Sequence, residues 1–113
     1  ALVPGELIEA VTIPVARGPQ QFLKVGTRNA MVIAVASLAL VVDADAGTVA
    51  VGLGSVGPTP LRVTATVEEA TDPGFPARVA EAARPIDDHR SSAAYRRHAV
   101  AVLAERAVRR AFP

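Results

Sequence analysis

Apolar and polar positions follow two different rhythms along the chain. Up to about residue 67 the apolar residues come in short β-branched runs separated by Pro, Gly and Asp, and beyond it they recur at helical spacing. Leu7 to Ile13 (LIEAVTI), bounded by Pro4-Gly5 and Pro14, predicts a strand. Gly18-Pro19 breaks the chain, and Gln21 to Val25 predicts a second short strand with Phe22 and Lys24 on one face, ended by Gly26. The run Ile33 to Val42 is too long and too apolar for a strand buried on one side only, so it is expected to be covered on both faces. Asp43 to Gly47 (DADAG) has the composition of a turn, Thr48 to Leu53 returns antiparallel, and Leu61 to Val67 adds a strand after the Pro58/Pro60 break.

Past Val67 the chain predicts two helices. Phe75 to Ala83 carries Pro at an early helical position and stops before Pro85, as a two-turn helix does. The second runs from about Ser92 to Ala111, with Ser91 or Ser92 as N-cap and Asp87 and Asp88 upstream, near the positive end of the helix dipole. Tyr95, Ala99, Val102, Leu103, Ala107 and Ala111 fall on one face, with Glu105 and Arg109 paired i,i+4 outside it. The sum is a single α+β domain over 1–113: an antiparallel β-sheet of three to five strands with flanking α-helices, the last of them long.

Composition narrows what such a domain does. With 113 residues and 12 Lys+Arg against 11 Asp+Glu, the chain has the size and charge of one ordinary globular unit. There is no cysteine, which excludes disulfides, thiolate-bound zinc, thiolate-bound iron–sulfur clusters and cysteine nucleophiles. The longest apolar stretch, Ala30 to Val42, falls well short of the roughly 20 residues that span a bilayer, and no secretory signal opens the chain, so a soluble cytoplasmic protein is expected. The start at Ala1, with no methionine, suggests a domain cut from a longer reading frame or a processed product. Seven arginines stand in residues 84–113, but only four aromatics occur in the whole chain, and the basic last helix is interrupted by Glu105; nucleic acid is not expected as a partner.

No motif amounts to a self-contained active site. Gly52-Leu-Gly-Ser-Val-Gly57 satisfies G-x-G-x-x-G after a predicted strand, yet Pro58-Thr-Pro60 follows at once and forbids the helix that receives a pyrophosphate. His89 and His98 have no third ligand at metal spacing, so no metal site is expected. Ser91, His98 and Asp88 contain the residue types of a hydrolytic triad, but serines that open a helix usually cap it, and no catalytic residue is assigned. Lys24 is the only lysine, and beside Gly26 and Arg28 it either points at a phosphate or a polarised ring carbonyl or, more commonly, lies free in solvent.

The order of segments carries more. Pro4-Gly-Glu-Leu7 leads to Ile13-Pro14, then Phe22-Leu-Lys-Val-Gly-Thr-Arg28 with Ile33-Ala34 and Ser37-Leu-Ala39, then Gly57-Pro-Thr-Pro60, and finally Asp87-Asp-His-Arg-Ser-Ser-Ala-Ala-Tyr-Arg-Arg97. In this order they resemble the C-terminal domain of the FAD-binding medium subunit of molybdenum hydroxylases, the carbon monoxide dehydrogenase and xanthine dehydrogenase family. The resemblance runs from about Pro4 to Arg110. It implies an oxidoreductase component, inactive alone, that closes one side of a flavin site while electrons pass from iron–sulfur clusters to FAD and on to an acceptor. It implies as partners the N-terminal FAD-binding region of the same subunit, missing from this sequence, an iron–sulfur small subunit and a molybdenum large subunit. FAD is then expected in the complete subunit and not retained by this piece alone.

Position by position, the resemblance assigns Ile8 to the strand residue that lies against the flavin and Lys24 to a lysine near the isoalloxazine end, where a cation favours negative charge on the reduced ring. Arg28 matches an arginine of supporting role, and Met31-Val32 stand where many relatives carry an acidic residue. The alternative is a non-catalytic interaction module that keeps the fold without flavin; the match of Leu7 to Pro14 and of Lys24 to the flavin-facing side favours the first reading.

Overall fold

The computed structural model of the chain describes residues 2–113; Ala1, the first residue of the expected single domain, lies outside them. Four strands, β1 (Gln20–Val25), β2 (Ala36–Asp43), β3 (Thr48–Gly54) and β4 (Leu61–Thr66), form one antiparallel sheet in the order β1-β2-β3-β4. Three helices follow, α1 (Val67–Thr71), α2 (Phe75–Ala82) and α3 (Ala93–Ala111). The domain is therefore α+β with a long C-terminal helix, as the two rhythms of the sequence predict.

Period-two alternation decides which sheet face is buried. Leu38, Leu40 and Val42 of β2 and Val49, Val51 and Leu53 of β3 point to the helices and are almost wholly excluded from solvent. Each such side chain contributes roughly 2 kcal/mol on burial. Phe75 and Val79 of α2 and Val100 and Leu103 of α3 close the core from the other side. Ala99, Ala104 and Ala107 keep that face of α3 thin, so helix and sheet approach closely.

Local chemistry sets the ends of the elements. The β2–β3 hairpin turns on Asp43, whose carboxylate accepts from the Ala46 N–H at 3.0 Å, and on Gly47 at φ 64°. Ser92 is the α3 N-cap, accepting from Tyr95 N–H at 3.2 Å, and Asp87 accepts from Ala93 N–H beside it. At the other end Arg109 and Arg110 stand in the last turn, and Arg109 pairs with Glu105 at 3.6 Å.

Four expectations are corrected. Leu7 to Ile13 forms no strand: after Pro14 and Gly18-Pro19 the chain enters the sheet only at Gln20, and Leu7, Ile8, Val11 and Ile13 are exposed. A β-branched run becomes a strand only where another strand's backbone pairs with it, and these residues have no place in the ladder. The run from Ile33 starts its strand at Ala36 and alternates buried with half-buried positions, so its second face is open. Val67 does not end β4 but begins α1, because Thr66 and Glu69 make a capping box: Glu69 N–H donates to the Thr66 hydroxyl at 3.1 Å, and Thr66 N–H donates to the Glu69 carboxylate at 2.8 Å. On α3, Tyr95 is half exposed, and Arg96 takes the buried position.

Candidate functional site

With all the helices on one face, the other face of the sheet stands open. Its cross-strand rows read Phe22–Ala39–Gly52–Arg62, Lys24–Ser37–Gly54 and Gln20–Val41–Ala50–Thr64. The middle of this face is made of small residues, so it is flat, with Phe22 and Lys24 raised along one edge and Arg62 and Thr64 along the other. A Cβ at Gly54 would crowd the Ser37 hydroxyl as it is placed.

Lys24 stands near the end of β1, where the chain leaves for the 26–35 loop. Its Nζ donates to the Val32 carbonyl at 3.2 Å, and Val35 N–H closes the loop base on the Val25 carbonyl at 2.7 Å. A Cβ at Gly26 would crowd the Val32 side chain, so glycine lets the loop close tightly here. Met31 and Ile33 project almost bare from this loop. Ile8 is 67% exposed and belongs to the irregular segment 2–19 before β1, an arm that joins the sheet at the opposite end of β1: Pro19 accepts from Val42 N–H at 2.9 Å, and Pro14 to Arg17 lie across a cleft from Val41 and Asp43. Among the described residues no hydrogen bond links Ile8 to the Lys24 loop.

The glycine motif ends β3. Ser55 takes the left-handed conformation at φ 64°, and Pro58 to Pro60 lead directly into β4, so no helix N-terminus forms for a pyrophosphate. Nor do the triad residues assemble. Asp88 is occupied by Arg90 at 3.0 Å and Arg96 at 2.6 Å, while His98 lies beside Val25, Tyr95 and Arg106. Among the described residues no three His, Cys, Asp or Glu side chains gather as metal ligands, and no helix is long and apolar enough to cross a membrane.

Within the Asp87–Arg97 segment, which the resemblance casts as an anchor of the last helix and its loop, Asp88 gathers Arg90, Ser91 and Arg96; the further link to Ser55 has no counterpart in the sequence reading. Partial burial pushes the Asp88 carboxyl up, but the Arg90 N–H, the Arg96 and Arg90 guanidiniums and the Ser91 N–H outweigh it and hold the group well below the usual carboxylate range. Arg96 is 3% exposed and also donates to the Ser55 carbonyl at 2.7 Å. A sequence signal for it exists: Arg96, Val100, Leu103, Ala107 and Ala111 repeat at helical spacing, which puts the arginine on the buried stripe.

Residues 21–111 match the family model of the CO dehydrogenase flavoprotein C-terminal domain. The chain belongs to that family. Lys24 falls inside the matched residues and Ile8 outside them. Among solved structures, a chain of Cu,Mo-CO dehydrogenase in its cyanide-inactivated form is similar at 29% identity and a TM-score of 0.67, over 88% of this chain. This flavoprotein C-terminal domain spans 38% of the length of that chain. A comparison with curated proteins found no match.

Proposed function

We propose that this domain forms one wall of the flavin site in the FAD-binding subunit of a cytoplasmic molybdenum hydroxylase of the carbon monoxide dehydrogenase and xanthine dehydrogenase type. The supporting observation is the flat, small-residue sheet face with Lys24 at its edge, in a chain of the CO dehydrogenase flavoprotein C-terminal domain family. These residues suit the ring end of FAD: the face admits a planar group, and the Lys24 ammonium, tethered to the Val32 carbonyl, supplies a fixed positive charge. They do not suit its diphosphate, because the glycine motif opens no helix. The dinucleotide part is then held by a preceding region of the same subunit.

A bound FAD would supply the redox chemistry that links the iron–sulfur clusters of a partner subunit to an acceptor. The domain's own residues orient and shield. Lys24 favours negative charge on the ring, and Ile8, carried on the arm, supplies an apolar contact that keeps water from it. The iron–sulfur small subunit and the molybdenum large subunit are the remaining partners in this reading, and the domain alone does not turn over.

Visible absorbance tests the reading. The complete subunit and the 113-residue chain are each purified and mixed with FAD. A flavin spectrum retained after desalting by the complete subunit, and not by the short chain, supports the proposal. If both emerge colourless, the flavin assignment is wrong.

A further inference from the structure

A cleft of about 360 Å³ opens where the loop after β3 meets the α2–α3 connection and the first turn of α3. None of its lining residues belongs to the open sheet face. Three guanidiniums, those of Arg84, Arg90 and Arg96, line it with a single carboxylate, Asp88. That carboxylate is saturated: Oδ1 accepts from Arg96 at 2.6 Å, Arg90 N–H at 2.8 Å and Ser91 N–H at 3.1 Å, and Oδ2 accepts from Arg90 at 3.0 Å. The neighbouring acid, Asp87, is turned to the Ala93 N–H. Arg90 and Arg96 therefore share one carboxylate and Arg84 has none among the described ion pairs, which leaves the lining with a net positive charge.

The unused donors are specific. Arg96 Nη1 and Nη2 are engaged and its Nε is shut away from solvent, so the donors free to meet a ligand belong to Arg84 and Arg90, whose Nη2 alone among its side-chain nitrogens is bonded, to Asp88. Arg84 gives Nη1 to the Glu81 and Ala83 carbonyls, and the rest of its fork has no protein partner among the described hydrogen bonds. Pro58, Pro85 and Ile86 form the remaining wall, and Ile86 is largely exposed for a side chain of its type. A concave, mainly apolar site with a few convergent polar groups is the usual form of a small-molecule pocket.

We propose that this cleft binds a small organic carboxylate. The planar guanidinium forks match the two oxygens of a carboxylate, and the proline and isoleucine wall takes the apolar body attached to it. A free phosphate offers nothing to that wall. The site is separate from the flavin reading and stands or falls without it.

Amide chemical-shift titration of the 113-residue chain, whose buried residues form one contiguous hydrophobic cluster, provides the test. The probes are benzoate, benzamide and inorganic phosphate. Benzoate gives saturable shifts at Ser55 to Gly57 and Arg84 to Arg96; benzamide, of the same shape without the charge, binds at least tenfold more weakly, and phosphate likewise. Arg84→Ala and Arg90→Ala each weaken benzoate at least fivefold with an unchanged far-ultraviolet circular dichroism spectrum. The benzoate and benzamide comparison decides the matter on the unmodified chain if a variant fails to fold. Absence of saturable benzoate shifts, shifts elsewhere in the chain, equal binding of benzamide, or phosphate binding as tight as benzoate overturns the proposal.

Discussion

Arg96 reaches from the first turn of α3 to the carbonyl oxygen of Ser55, at 2.7 Å, and so fastens the helix to the strand end where the backbone turns left-handed. Its other terminal nitrogen holds Asp88. Removing the guanidinium leaves the Ser55 carbonyl without this donor and takes from Asp88 one of its two guanidinium partners, in a mostly buried setting. Arg96→Met therefore lowers unfolding stability by about 3 kcal/mol. Urea denaturation measures this; a loss below 1 kcal/mol would mean that the latch carries little of the fold's stability.

Asp88 gives that latch a pH dependence. Its folded carboxyl is held below its unfolded value, so it contributes stability above the unfolded value of about 3.9 and loses it as pH falls toward the folded value. Asp88→Asn removes the contribution at every pH. The variant is expected to be less stable than the parent at pH 7, with the gap narrowing steadily below about pH 4. Urea midpoints at pH 7 and pH 3 test this, and a gap that stays constant would show that the charge on Asp88 is not what stabilises the site.

Most of the sheet was legible because alternation in β2 and β3 is both a local pattern and the pattern of burial. Where the two part company, the sequence misleads. Leu7 to Ile13 has strand composition but no paired neighbour, and pairing is a property of the whole fold. Thr66 and Glu69 carry a readable capping box, yet the β-branched run LRVTATV before it masked the change of element at Val67. In the site, the exposure of Lys24 and the dead end of the glycine motif follow from neighbours in sequence. The Ser55–Arg96–Asp88 cluster does not, since its members are brought together from the loop after β3, the α2–α3 connection and α3, although the helical spacing of Arg96 pointed inward.

Gly18 is held by close approach and not by an unusual backbone angle. A Cβ there would overlap the carbonyl group of Val42, which as backbone cannot rotate aside. The adjacent Pro19 carbonyl is already fixed by the Val42 N–H. Gly18→Ala is expected to cost roughly 3 kcal/mol and to lower the thermal midpoint by about 10 °C or more. Gly47, at positive φ with open space around it, is the control: Gly47→Ala costs only about 1 kcal/mol. Calorimetry on the two variants ranks them, and a larger loss at Gly47 would contradict the close-approach argument.

Lys24 separates a flavin wall from a fold that merely looks like one. Its ammonium is anchored only to the Val32 carbonyl on an exposed loop, so replacing it disturbs little of the core. If the charge faces the ring in the complete subunit, Lys24→Gln makes reduction of the flavin less favourable. The midpoint potential moves negative by roughly 20–40 mV, since about 30 mV in a two-electron couple corresponds to 1.4 kcal/mol. Lys24→Arg keeps the charge and restores most of the shift, which a role limited to tethering the loop would not produce. Spectroelectrochemistry on the flavin-loaded subunit reads both variants, with flavin content as the check on folding. A potential unmoved by Lys24→Gln removes the lysine from the flavin site.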